Sequence, residues 1–179
     1  VAGRVAAACG NKRKAIKRFD RDDDLRIHME DFAQILVKYP HEKYTSANYE
    51  NIGKVIYDFS GDGLADAQQF ARRLLVNILL ANGDAHLKNF SVIRTEHGDY
   101  TLTPMYDLLC TKLHSPNESD LALDLFKEGF PPTFEAVGFY THPDFLEFGQ
   151  AIGIRKSRVE RILKSFTEPV SLALQLIDA

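Results

Sequence analysis

The sequence predicts an α+β fold that is mainly helical, with one small β-hairpin near the middle of the chain. The length of 179 residues and the hydrophobic share of 45% are ordinary for one compact domain or two small lobes. Apolar residues recur at helical spacing in several segments, which predicts amphipathic helices. Two short strand patterns flank the turn-prone segment Glu96–Asp99, which predicts the hairpin.

Short elements are predicted in the first third of the chain. The apolar pattern of Val1–Cys9 predicts a short helix, and strand formers between turn-prone neighbours predict a strand over Ala15–Phe19. Helical spacing predicts helices over Met29–Tyr39 and Asn51–Phe59, the first with acidic residues in its first turn, where the helix dipole favours them. The breaker Ser60–Gly63 (SGDG) ends this region.

The longest predicted helix comes next and is followed by the hairpin. Asp66 and Gln69 form a capping-box-like start, and Asn82-Gly83 supplies a helix stop. The hairpin strands are predicted over Phe90–Arg94 and Tyr100–Thr103. Apolar spacing, with a proline in a tolerated first turn, predicts a helical tail over Thr133–Ala136, Asp144–Ile152, Lys156–Phe166 and Pro169–Ile177.

Composition excludes several classes of protein. A net charge of −3 gives no overall attraction to nucleic acid or acidic membranes. Two cysteines, Cys9 and Cys110, are too few for a disulfide scaffold and favour a cytoplasmic location. The longest apolar run, Leu74–Ala81, is shorter than the roughly 20 residues that a membrane helix needs. We therefore expect a soluble, cytoplasmic protein without a membrane partner.

The loop Asn82–Asn89 (NGDAHLKN) carries more polar groups than a connection needs. Five of its eight residues are polar or charged, whereas a helix-to-strand link needs only a few turn residues. Functional residues concentrate on such loops when rigid elements hold them. Asn89 follows Asp84 by five residues, and the hairpin is expected to bring Asp107 back beside both.

This order of residues suits phosphoryl transfer. The reaction needs a carboxylate to orient the attacking hydroxyl and accept its proton, together with oxygen ligands for Mg²⁺. Protein kinases supply a loop aspartate, an asparagine five residues later and an aspartate after a hairpin, the order of Asp84, Asn89 and Asp107. Carboxylate and amide oxygens suit Mg²⁺, and His86 and Lys88 lie where they could meet phosphate charge.

Four motifs resemble the HipA-type serine/threonine kinases of bacterial toxin–antitoxin systems. They are KRFDR at Lys17–Arg21, EDFAQ at Glu30–Gln34, NGDAHLKNFSV at Asn82–Val92 and YTLTPMYD at Tyr100–Asp107. The resemblance covers most of the chain, from about residue 15 onward. It implies a protein-kinase-like C-terminal lobe with a catalytic-loop hairpin, and ATP and Mg²⁺ as cofactors.

The resemblance also implies a role for each candidate residue. Asp84 becomes the catalytic base, and Asn89 and Asp107 become Mg²⁺ ligands. The nucleotide-binding set becomes Phe19, Asp20, His86, Lys88 and Asn89. The implied partners are a protein substrate such as an aminoacyl-tRNA synthetase and a helix-turn-helix antitoxin, with DNA reached only through the antitoxin.

The resemblance implies a division of the chain as well. Residues 1–19 would be a remnant of the N-terminal lobe with the linker between lobes, and residues 20–179 the helical catalytic lobe. The lobe that covers ATP lies upstream of KRFDR in the family, and no G-x-G-x-x-G pattern occurs here. We therefore expect the chain to be the larger part of a two-lobed enzyme.

Alternatives remain open from the sequence. The first function class is a HipA-type kinase that transfers the γ-phosphate of ATP to a protein hydroxyl. The second is a small-molecule phosphotransferase of the aminoglycoside or choline kinase kind, and the third is a non-catalytic module that binds an antitoxin or its DNA complex. Locally, Asp84 and Asn89 could simply stabilise turns, and Asp107 could cap a helix.

Overall fold

The computed structural model describes residues 6–7, 14–15, 17–114 and 121–177, and its fold mixes α and β structure. The strands are β1 (Ala6–Ala7), β2 (Lys14–Ala15), β3 (Arg21–Asp22), β4 (Leu25–Arg26), β5 (Met29–Asp31), β6 (Ser91–Arg94) and β7 (Tyr100–Leu102). The α-helices are α1 (Phe32–Ile35), α2 (Tyr49–Phe59), α3 (Gly63–Leu79), α4 (Pro132–Val137), α5 (His142–Ala151), α6 (Lys156–Ser165) and α7 (Thr167–Ile177). Among the residues described, no helix combines the length and apolar character needed to cross a membrane.

A three-stranded antiparallel sheet flanks the candidate loop. Its strand order is β5-β6-β7, with Asp31 opposite Ser91 and Val92 opposite Leu102. Strand β6 begins two residues after Asn89, so the sheet holds the outgoing end of the loop. The predicted hairpin is confirmed, and it returns the chain toward Asp107.

The hydrophobic core lies beneath the sheet, among helices α2, α3, α5 and α6. Phe70 on α3 is fully buried, and its ring centroid lies 5.2 Å from that of Phe90 and 6.4 Å from that of Phe148. Each buried large apolar side chain contributes about 1.5–3 kcal/mol relative to an exposed one. Because Phe90 directly follows the loop, the core fixes where the loop ends.

The segment before α1 differs from its prediction. Met29–Asp31 is strand β5, whereas the spacing of apolar residues predicted the first turn of a helix. Its backbone pairs with β6, which satisfies hydrogen-bonding groups that a helix would otherwise satisfy. The helix is correspondingly short, and Asp31 Oδ1 caps it by accepting from the Gln34 N–H at 2.9 Å.

The first residues of the chain also differ from their prediction. Ala6–Ala7 is a strand paired with Lys14–Ala15, where the apolar pattern predicted a helix over Val1–Cys9. The strand depends on a partner further along the chain, and the spacing of small apolar residues carries no information about such a partner. Lys17–Asp20 carries no regular secondary structure, and Cys9 lies outside the described residues.

Helix α3 begins earlier than its capping pattern predicted. Asp62 is the N-cap, and its Oδ1 accepts from the Ala65 N–H at 3.0 Å. Asp66 is buried inside the helix and accepts from the Leu102 N–H at 2.9 Å and from the Thr101 hydroxyl at 3.0–3.1 Å. Asp66 therefore ties α3 to strand β7 instead of starting the helix.

Loss of the Asp66 carboxylate is expected to loosen the hairpin. Asp66→Ala leaves the Leu102 N–H and the Thr101 hydroxyl without their acceptor, and a hydrogen bond to a charged group contributes about 1.5–3 kcal/mol. We expect urea unfolding of the full natural protein to show a free energy of unfolding lower by about 2 kcal/mol. The exposed hairpin-loop variant Glu96→Ala is the control, and equal stability of both variants would contradict the anchoring role.

Candidate functional site

The candidate site is built on the loop Asn82–Asn89, whose first residues are pinned to the end of helix α3. Asn82 is buried, and its Nδ2 donates to Asn77 Oδ1 at 2.7 Å. Its Oδ1 accepts from the Asp84 N–H at 3.2 Å. Both ends of the Asn82 amide are therefore used to fix the backbone that presents Asp84.

The middle of the loop is held from inside the core. The Tyr49 hydroxyl, on the first turn of α2, donates to the Ala85 carbonyl oxygen at 2.8 Å. Burial raises the pKa of Tyr49, which keeps this hydroxyl protonated as a donor. Ala85 and Leu87 are both fully buried, so the side chains of Asp84 and His86 emerge from an anchored backbone.

The structure brings Asn89 and Asp107 into direct contact. Asn89 Nδ2 donates to Asp107 Oδ2 at 2.7 Å, and Asn89 Oδ1 accepts from the His86 N–H at 3.0 Å. The predicted return of Asp107 to the loop is thus confirmed. Asp107 has a φ of 54°, an uncommon value for a residue with a side chain. The helical turn that follows starts only at Thr111, so Asp107 does not cap a helix.

Asn89 and Asp107 have the chemistry of a partial Mg²⁺ site. Mg²⁺ prefers carboxylate and amide oxygens and keeps several ligands from water or phosphate. Asp107 is exposed, and Asn89 Oδ1 has a second lone pair beside the one that accepts from His86. Within the described part of the chain, no cluster of three or more His, Cys, Asp or Glu side chains could hold a metal alone. The donor types of the pair suit Mg²⁺, whose remaining ligands would have to come from water or phosphate.

Two residues that the sequence analysis missed, Lys43 and Tyr44, complete the surroundings of Asp84. The Tyr44 hydroxyl donates to Asp84 Oδ1, and Lys43 Nζ lies 2.8 Å from His86 Nε2. His86 Nε2 in turn lies 3.7 Å from Asp84 Oδ1. The segment around Lys43 reads as an ordinary polar loop, and no motif or spacing links it to the distant loop it contacts.

His86 is a neutral, buried group in this arrangement. Its side chain is only 7% exposed, and burial, followed by the nearby Lys43 ammonium, lowers the pKa of the imidazole. An ammonium only donates, so Nε2 accepts and the ring proton lies on Nδ1, which has no hydrogen-bond partner among the described residues. A contact between His86 and phosphate stays a prediction. A neutral imidazole would contact phosphate without contributing a positive charge.

Lys88 pairs with a carboxylate outside the loop. Its Nζ lies 3.2 Å from Asp31 Oδ2, and its side chain is 44% exposed. Its backbone carbonyl oxygen accepts from the Tyr106 hydroxyl at 2.7 Å. Among the described residues, the exposed ammonium makes one ion pair, with a carboxylate that is itself only 14% exposed. Its predicted phosphate contact stays a prediction.

Phe19 and Asp20, predicted nucleotide contacts, occupy different environments. The Phe19 ring centroid lies 5.7 Å from that of Tyr106, the residue before Asp107. Asp20 is buried, and its carboxylate pairs with Arg18 at 2.6 Å and Arg21 at 2.5 Å. The hydrogen bond from Arg18 is the main cause that lowers the pKa of Asp20 to about 2. Nucleotide contact by Phe19 and Asp20 stays a prediction.

Comparison with known proteins identifies the family. The profile of the HipA-like C-terminal domain matches residues 4–173, nearly the whole chain. The chain belongs to the HipA-like C-terminal domain family. The resemblance inferred from the four motifs is therefore confirmed, and the loop Asn82–Asn89 and Asp107 lie within the matched region.

Relatives of this HipA-like chain carry provisional kinase names. Y4dM of Sinorhizobium fredii is 43% identical over 110 residues, covering 62% of this chain and 26% of that protein. A Haemophilus influenzae protein is 34% identical over 159 residues, covering 79% of this chain and 46% of its own length. Y4mE of Sinorhizobium fredii is 27% identical and is covered over 41% of its length. The chain thus spans less than half the length of these curated relatives.

A solved structure shares the HipA-like fold. HipA of Shewanella oneidensis, determined with HipB and its operator DNA, matches with a TM-score of 0.71 at 22% sequence identity. The match covers 90% of this chain and 41% of the HipA chain. At this level of identity, the comparison establishes the fold.

Lys43 is expected to lower the pKa of His86. Lys43→Met removes the cation beside Nε2 but keeps an unbranched side chain, so the pKa of the His86 ring should rise toward its ordinary value. NMR titration of the ring measures this, with its signal assigned by its loss in His86→Gln. The control is Lys54→Met, because Lys54 pairs with Glu50 on helix α2. An unchanged pKa of His86 in Lys43→Met would contradict the predicted electrostatic coupling between the two side chains.

Proposed function

We propose that this chain is the catalytic lobe of an ATP- and Mg²⁺-dependent serine/threonine protein kinase. The observation that carries the proposal is the contact between Asn89 and Asp107 at 2.7 Å, next to the loop that presents Asp84. Membership of the HipA-like family and the kinase names of its relatives support a kinase in general. ATP and Mg²⁺ as cofactors and a protein hydroxyl as the acceptor are part of the proposal.

In this proposal Asp84 is the catalytic base. Its side chain is 36% exposed, so an acceptor hydroxyl can reach a carboxylate oxygen. Asp84 orients that hydroxyl and takes its proton as the hydroxyl oxygen attacks the γ-phosphorus. The anchored backbone on either side of Ala85 limits how far the carboxylate can move, which favours a reactive geometry.

Asn89 and Asp107 hold the metal in this proposal, and the remaining candidates surround the nucleotide. When bound, Mg²⁺ would neutralise negative charge on the phosphates. Lys88 is proposed to exchange its ion pair with Asp31 for a phosphate oxygen. Phe19, Asp20 and His86 are proposed to line the nucleotide site, with Asp20 acting through the arginines that it holds.

We also propose the partners of the whole protein. The Shewanella HipA structure contains HipB and operator DNA, which supports an antitoxin partner here and a link to DNA through it. The family resemblance supports a protein substrate, with an aminoacyl-tRNA synthetase as the first to test. The proposed reaction takes place in the cytoplasm, where ATP and these partners meet.

Replacement of the base tests the reaction. Asp84→Asn keeps the size of the side chain and removes its ability to accept a proton, so phosphate transfer should fall by about 10²- to 10⁴-fold. The measurement is incorporation of labelled γ-phosphate from ATP into proteins of a bacterial extract, using the full natural protein. Asp99→Asn, at an exposed hairpin position, is the control. Full activity of Asp84→Asn would rule out the assignment.

Replacement of the metal ligand tests nucleotide binding separately. Asp107→Asn removes the carboxylate charge, so Mg²⁺–ATP should stabilise the variant less than the wild type in a thermal shift measurement. ATP without Mg²⁺ should affect both proteins equally. No stabilisation of the wild type by Mg²⁺–ATP would instead favour a non-catalytic binding module. Turnover of a small alcohol without phosphoprotein would favour a small-molecule phosphotransferase.

A further inference from the structure

We propose that Tyr44 is a positioning residue for Asp84, an inference that rests on the proposed kinase function. Its hydroxyl donates a hydrogen bond to Asp84 Oδ1 across 40 residues of sequence. Among the described residues, this is the one hydrogen bond to the Asp84 carboxylate, since His86 Nε2 lies 3.7 Å away and beyond normal hydrogen-bond distance. Tyr44 therefore holds one carboxylate oxygen and leaves Oδ2 available to an acceptor hydroxyl.

The Tyr44 ring is itself held in place by its neighbours. It meets the His86 ring edge-on, with centroids 5.0 Å apart and an interplanar angle of 72°. Lys43 Nζ lies 4.7 Å from the Tyr44 ring centroid and 2.8 Å from His86 Nε2. Edge-to-face and cation–π contacts both favour one orientation of an aromatic ring. Lys43, Tyr44, Asp84 and His86 thus form a cluster, here called the base cluster, in which Tyr44 has a defined direction.

The bond from Tyr44 adds side-chain orientation to a loop whose backbone is already anchored. The Tyr49 hydroxyl and the Asn82 side chain hold the backbone around Asp84 without help from Tyr44. A half-exposed carboxylate on a fixed backbone still rotates among several side-chain conformers. A donor at Oδ1 restricts that rotation, and a base that a third group orients is a recurring arrangement in enzyme sites.

Tyr44 undergoes no chemical change in the proposed reaction step. A bond forms between the acceptor oxygen and the γ-phosphorus, and the bond from the γ-phosphorus to the bridging oxygen breaks, with its electron pair leaving on ADP. The acceptor proton moves to Asp84, and Tyr44 keeps its proton throughout. Tyr44 should therefore affect the rate of transfer and leave ATP binding unchanged.

The test compares Tyr44→Phe with wild type in the full natural protein. Phenylalanine keeps the ring contacts with Lys43 and His86 and removes the hydroxyl alone. We expect kcat for phosphate transfer to fall about ten- to a hundredfold, the scale of a small misplacement of a reacting group, with KM for ATP unchanged and Tm lowered by no more than the loss of one exposed hydrogen bond allows. Tyr39→Phe is the matched control, because Tyr39 is 71% exposed and stacks on His41, which is not a member of the base cluster.

A double variant shows whether Tyr44 acts through Asp84. Tyr44→Phe should add no further loss in an Asp84→Asn background, because coupled residues are not additive. A wild-type kcat in Tyr44→Phe overturns the positioning role alone, and so does a parallel loss of kcat, ATP affinity and Tm, which marks a structural role. Absence of phosphate transfer by the wild type overturns the proposed function and the positioning role together.

Discussion

One buried hydrogen bond anchors the middle of the loop on which the candidate site is built, the bond from the Tyr49 hydroxyl to the Ala85 carbonyl oxygen at 2.8 Å. Tyr49 is fully buried, and a buried polar group left without its partner costs about 1–3 kcal/mol, so both groups are strongly constrained to meet. Ala85 lies between Asp84 and His86, and the bond therefore fixes the backbone from which both emerge. The start of α2 is fixed in turn by the Tyr49 N–H, which donates to the Asp124 carbonyl oxygen at 3.0 Å.

The ionisable groups around the site are divided by their surroundings into neutral and charged ones. His86 is kept neutral because it is buried beside the Lys43 ammonium, which penalises a second positive charge. Asp20 is kept charged because two arginines bond its carboxylate, although it is almost completely buried. The carboxylates of Asp107 and Asp84 keep surface that is open to solvent, and the proposed function places the ligand there.

Tyr106 connects three parts of the chain on the Asp107 side of the candidate site. Its hydroxyl donates to the Lys88 carbonyl oxygen and lies 2.5 Å from Ser91 Oγ, and its ring contacts Phe19. Burial is the main cause that raises the pKa of Tyr106 to about 12, so the hydroxyl stays a donor. The KRFDR segment, the start of the hairpin and the residue before Asp107 are therefore held together through one side chain.

Local pattern was sufficient for the features that depend on neighbouring residues. Turn chemistry and periodicity predict the hairpin and the helical tail. The order of Asp84, Asn89 and Asp107 can be read from the sequence directly, and the four motifs indicate the correct family. Long-range contacts set the rest. Met29–Asp31 is a strand because its backbone pairs with the edge of β6. Asp66 is buried because its carboxylate accepts hydrogen bonds from Thr101 and Leu102. Lys43 and Tyr44 reach His86 and Asp84 across 43 and 40 residues. No periodicity or spacing encodes such a contact, because it exists only where the segment before helix α2 packs against the loop, as in the hydrogen bond from the Leu87 N–H to the Lys43 carbonyl oxygen at 3.3 Å.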